Sequence, residues 1–133
     1  MIHTKKTVQD ILQDEMLRER AAVLARAGEH LADALKKLEK MEGEIAAAMA
    51  AWRSGVGNGG SAAPEGPDVD RRRLMFDLNG KIGLYNRQRE QVRTRYYYLI
   101  VTREALGITH HQRLEEIYRI PRPKRLLPEK GEK

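Results

Sequence analysis

The sequence lacks cysteine, has one phenylalanine and one tryptophan, and holds only 5% aromatic residues over its 133 positions. Without cysteine there are no disulfides, thiol nucleophiles or thiolate-held metals. A reducing cytosol is the compartment this composition fits. So few aromatics argue against an aromatic-rich sandwich, while abundant alanine and leucine favour helix. No run approaches the roughly 18 apolar residues that a membrane span needs. The opening MIHTKKTVQDILQDE carries acids where a signal peptide would place its apolar core. A soluble cytoplasmic protein is expected.

Catalytic signatures are missing too. The one glycine-rich stretch lacks the Lys-Ser/Thr ending of a phosphate cradle. No serine sits in a G-x-S-x-G elbow, and the Glu-x-x-His pairs of a di-iron bundle do not occur. His110 and His111 adjoin each other, with Glu115 nearby, but neighbouring histidines diverge on a helix and no third ligand is fixed. His30 and Asp33, three apart on a long charged helix, are expected to be solvated side chains. The expectation is no enzyme, no cofactor and no metal.

What is present is a repeat of seven. Leu17, Leu24, Leu31, Leu38, Ile45 and Trp52 follow each other at that spacing, with Ala27, Ala34, Met41 and Ala48 three residues behind four of them. Leu78, Tyr85, Val92, Leu99 and Leu106 repeat it, flanked by Met75, Ile82 and Tyr96. Such stripes mark one face of a long helix. Between them, SGVGNGGSAAPEGP (54–67) reads as a flexible loop. The boundaries expected are a first helical segment over 1–53, the loop over 54–67, and a second long helix over 68–107. A short helix over 108–120 and a basic, proline-containing tail over 121–133 complete one all-α domain.

Two matched helices around a loop form a long antiparallel hairpin. Pairing the stripes outward from the loop sets Trp52 by Leu78, Ile45 by Tyr85, Leu38 by Val92, Leu31 by Leu99 and Leu24 by Leu106. The run Tyr96–Thr102 favours strand locally, yet the heptad passes through it and no second strand is available to pair with it. It is expected to be helix. Gly107 is expected to end that helix, with Thr109 and Gln112 capping the next. Gly28 and Gly43 each cost a helix about 1 kcal/mol, a cost that close helix contact would explain.

Residues Tyr98, Val101, Ala105 and Ile108 form a second apolar line, more than the short helix can cover. Tyr97, Tyr98, Val101, Ile108, Tyr118, Leu126 and Leu127 are therefore the candidate protein-binding residues, and a homodimer, arranged as a four-helix bundle, is the expected assembly. This helix arrangement resembles that of small bacterial helical-hairpin chaperones and adaptors, including export-associated coiled coils. The likeness implies a scaffold, adaptor or chaperone and assigns no residue.

Charge supplies the competing reading. The net charge of +6 divides into −1 over 1–52, +4 over 68–107 and +3 over 108–133. Arg71, Arg72, Arg73, Arg87, Arg89, Lys124 and Arg125 would then contact nucleic-acid phosphates. Their spacing spreads them over more than one helix face, so they form no single phosphate track. The corner at Gly107 has a helix-turn-helix outline, but the helix after it balances Arg113 and Arg119 with Glu115 and Glu116 and offers little to base edges.

Overall fold

The computed structural model describes residues 7–54 and 67–128. The body of the glycine-rich loop and the last residues of the basic tail lie outside the described residues. Three helices are present: α1 (Val8–Arg53), α2 (Pro67–Ala105) and α3 (Gln112–Ile117). The two long ones are antiparallel and pack together. The strand-favouring run 96–102 lies wholly inside α2. Tertiary burial of the heptad overrides local propensity there.

The chain forms two compact units, each with a stretch of both long helices. Unit 1 takes the residues up to Asp33 and Thr94–Arg119; unit 2 takes Ala34–Arg93 and the residues from Ile120 on. In unit 2 the heptad residues Leu38, Ile45, Leu78, Tyr85 and Val92 are buried, together with Ile82. In unit 1, Leu31, Leu99 and Leu114 are buried. Burying one such side chain fully contributes about 1.5–3 kcal/mol, which is what orders helices too long to stand alone.

The stripes pair about one heptad out from the expected register. In unit 2 the Arg71 guanidinium lies over the Trp52 ring at 4.7 Å, and Gln88 Nε2 donates to the Ala34 carbonyl at 3.0 Å. In unit 1, Leu24 and Leu99 line one groove. These partners stand roughly two turns earlier along α2 than a heptad-on-heptad pairing sets them. The physical reason is that a stripe of period seven looks the same after a slip of one heptad, so matching the stripes alone leaves the register open by that step. Ile82, three residues from Tyr85 and equally buried, adds the second apolar position of the heptad to the seam.

Helix ends are set locally. At the start of α1, the Asp10 N–H donates to Thr7 Oγ1 and the Thr7 N–H donates to Asp10 Oδ2, both at 3.1 Å. This reciprocal capping box fixes a terminus whose neighbours are all exposed: from Thr7 to Val23 every side chain is exposed except half-buried Asp14. Leu17 opens the first stripe in sequence but is 61% exposed, so the buried seam starts at half-buried Leu24.

At the end of α2, Gly107 has φ +88°. Its N–H donates to the Glu104 carbonyl at 3.0 Å, and the Ile108 N–H donates to that of Arg103 at 2.9 Å. These two bonds make a Schellman motif. Beyond it the capping differs from expectation. The N-cap of α3 is His111, with no side-chain cap, and neither Thr109 nor Gln112 serves as one. Arg103 braces the corner instead, donating from Nε to His111 Nδ1 at 3.3 Å and from its terminal nitrogen to the His110 carbonyl at 2.9 Å.

Glycine substitutions separate the two roles of this residue. A Cβ at Gly43 would meet nothing within 4 Å, so close helix contact does not explain that glycine. Gly43→Ala is expected to raise stability by about 1 kcal/mol, whereas Gly107→Ala should lower it by about 1–2 kcal/mol through its left-handed backbone. Leu38→Ala should cost about 2–5 kcal/mol. Urea melts of the three variants give the order directly.

Candidate functional site

Two surfaces emerge, one in each unit. In unit 2 the tail expected to leave the helices does so and then lies along α2. Asn86 Nδ2 donates to the Lys124 carbonyl and the Lys124 N–H donates to Asn86 Oδ1, both at 2.9 Å. Asn79 repeats the clasp on Leu127, donating from Nδ2 at 3.2 Å and accepting at Oδ1 at 2.6 Å. Arg89 Nε donates to the Pro121 carbonyl at 2.6 Å. Three backbone positions, each three residues from the next, are thus gripped by side chains of one helix.

One tail side chain is also read. Lys124 Nζ donates to Glu42 Oε1 at 3.0 Å and pairs with Oε2 at 2.8 Å. It stands 5.1 Å from the centroid of the Tyr85 ring, within cation–π range. Burial raises the Tyr85 phenol above its ordinary 10.0; the charge of Glu42 and a hydrogen bond to it add to the rise, and Arg89 opposes it. Neither asparagine nor Glu42 stands out in the sequence by residue type. Their one signal is spacing: Asn79 and Asn86 stand a heptad apart on a helix whose partner tail carries Pro121, Pro123 and Pro128.

Unit 1 presents the other surface. Tyr97 and Tyr98 are exposed, with rings 6.3 Å apart and tilted by 36°, so they form no flat platform. Val101 and Ala105 are exposed beside them, while Ile108 is half-buried. α3 turns Leu114 inward and leaves Ile117 66% exposed; the second apolar line of α2 therefore stays largely open. Tyr118 is half-buried, its hydroxyl 3.7 Å from where a Cβ on Gly28 would stand. Beside it runs an open groove of about 580 Å³, lined among others by Ala21, Ala25, Gly28, Ala32, Leu99 and Leu114.

Of the tail leucines, Leu126 is exposed and Leu127 half-buried, its backbone held by Asn79. Several of the basic residues are engaged within the chain, Arg89 and Lys124 at the same stretch of tail. Arg71 is stacked on Trp52, Arg89 holds Pro121 and Lys124 pairs with Glu42. Arg72, Arg73, Arg87 and Arg125 are exposed. The histidine pair serves the corner: His111 accepts from Arg103, and its Nε2 lies 3.6 Å from Glu104. Among the described residues no three metal-ligating side chains gather, and no helix is long and apolar enough to cross a membrane. The chain matches no family model, no curated protein and no solved structure.

The buried phenols give a pH test. Tyr96, like Tyr85, is raised above 10.0, by burial first and then by Glu115, with Arg103 opposing. A raised phenol favours the fold fully below the unfolded value, and the contribution is lost as pH climbs through the folded one. Alkaline titration of phenolate absorbance should show late-ionising components. Tyr85→Phe and Tyr96→Phe should each remove one, and a titration unchanged by either would refute their burial.

Proposed function

We propose that this protein is a cytoplasmic, non-enzymatic interaction module, a helical-hairpin scaffold, adaptor or chaperone, whose contact surface is unit 1 and whose first partner is a second copy of itself. One observation carries the reading. Of the thirteen exposed large hydrophobic side chains among the described residues, ten belong to unit 1. Apolar surface so concentrated marks an interaction site more often than chance scatter does.

The shapes are complementary as well. Val8, Ile11, Leu12 and Met16 line one face of the capped start of α1, at spacings of three and four. The groove of the same unit is floored with alanines and a glycine. Large residues on a helix and small residues in a groove fit the helix-in-groove mode. Both occur in every copy, so a two-fold arrangement would cover both at once. A micromolar dimer requires about −8 kcal/mol net, and several side chains at about 1.5–3 kcal/mol each reach that after association costs. Tyr97, Tyr98, Val101, Ile108 and Tyr118 rim this surface in the proposal.

Nucleic-acid binding is the weaker reading, because three of its seven cations are already committed within the chain. Sedimentation over a concentration series separates the two. Wild type should dimerise, and Tyr98→Ser with Val101→Asp should weaken the dimer by well over tenfold while circular dichroism stays helical. Raising salt from about 50 to 200 mM should change little, whereas phosphate contacts would lose orders of magnitude. A wild type that remains monomeric at high micromolar concentration would refute the self-association.

A further inference from the structure

We infer that the face of unit 2 made by Glu42, Asn79, Tyr85, Asn86 and Arg89 is a binding site for extended, proline-flanked peptides carrying a lysine, with residues 120–128 as its resident and exchangeable ligand. The inference starts from a match of two repeats. Asn79 and Asn86 are one heptad apart, about 10.5 Å along a helix. The residues they clasp, Leu127 and Lys124, are three apart, about 9.3 Å along a polyproline II chain. Pro121, held by Arg89, continues the same period of three. A polyproline II strand has three residues per turn, so 121, 124 and 127 all fall on one side of it.

The contacts at 121 and 127 are to backbone alone, which any sequence supplies. Only at 124 is a side chain read. The carboxylate of Glu42 and the face of Tyr85 form a socket for an ammonium group. Bidentate amide-to-backbone clasps of this kind recognise an extended chain without choosing its residues. Specificity then comes from the lysine and from the prolines, which hold the free peptide in the bound form and lower the entropy cost of docking.

Exchange follows from how the tail is held. None of residues 121–128 is buried; Lys124 and Leu127 are half-buried and the others exposed, Leu126 at 59%. Polar clasps at a wet surface, with half-buried Leu127 as the one partly covered apolar side chain of 121–128, give a ligand that leaves readily. The unit 2 core of Leu38, Ile45, Leu78, Ile82, Tyr85 and Val92 contains no tail residue, so departure removes no core side chain and uncovers only the Tyr85 face under Lys124. A tethered tail competes at an effective concentration of about millimolar. A partner peptide prevails when it binds more tightly or arrives in several copies.

The test uses the full chain with its own tail weakened. Lys124→Glu sets a second acid against Glu42 and should release the tail. A fluorescein-labelled peptide of the sequence of residues 119–128 is then titrated into both proteins and followed by anisotropy. It should bind the Lys124→Glu protein at least about tenfold more tightly than wild type, the difference being the competition from the resident tail. Asn79→Ala with Asn86→Ala, placed in the Lys124→Glu background, should weaken binding at least about tenfold. A peptide with its lysine replaced by glutamate, and one with the same composition in scrambled order, should not bind. The site is refuted if the peptide fails to bind Lys124→Glu protein that remains helical by circular dichroism, or if the asparagine changes leave binding intact. Concentration-dependent dimers of the wild type that the asparagine changes abolish would make the occupant a second copy's tail, and would overturn the assignment to a separate peptide.

Discussion

The structure depends on covering one face of α2. The line Leu78, Tyr85, Val92, Leu99 runs through both units and is at most 3% exposed along its length. A 39-residue helix carrying so regular a stripe cannot leave it in water, and no intrinsic propensity would hold its Tyr-Tyr-Tyr-Leu-Ile-Val run helical otherwise. α1 exists as a single long helix because it must match that stripe. Within unit 1, α3 adds Leu114 to the same helix; within unit 2, the tail settles on a second face of it.

The division of labour between the two units follows from what each leaves uncovered. Unit 2 satisfies its surplus with polar clasps: two asparagines, an arginine and an ion pair hold an otherwise featureless peptide. Among the described residues unit 1 has no such peptide, and ten of its large apolar side chains stay exposed. The contrast also explains why the arginines make a poor phosphate track. A cation spent on a carbonyl, a ring or a carboxylate has less left for an outside anion.

The hairpin was legible in the sequence because burial writes itself as a period. Seven-residue spacing predicts the two long helices, the continuity of α2 through 96–102 and the identity of most of the core. Register was less legible: a stripe of period seven matches its partner equally well after a slip of one heptad, and contacts such as Arg71 over Trp52 set the slip. Short-range capping was partly readable. Gly107 signals its own turn, yet Thr109 carries a cap motif that goes unused because Arg103 already braces His110 and His111. The real box at Thr7 and Asp10 was there to be seen as T-V-Q-D. The asparagine clasps were not, since each joins residues 38 or 48 apart and no local pattern records where a tail will return. The same holds for the openness of Tyr98: its apolar character is written in the sequence, but α3 ends too soon to cover it.

The ion pair of the tail has a bearing on the order of events during folding. Lys124 and Glu42 are 82 residues apart, a wider separation than that of Gln88 and Ala34, which are 54 apart. Glu42 stands on α1 and Tyr85 on α2, so the pocket for the ammonium does not exist until the two helices have met. Docking of the tail is therefore a late step that reports a finished hairpin, and closing so long a loop contributes to stability only after the shorter loops inside it have already closed.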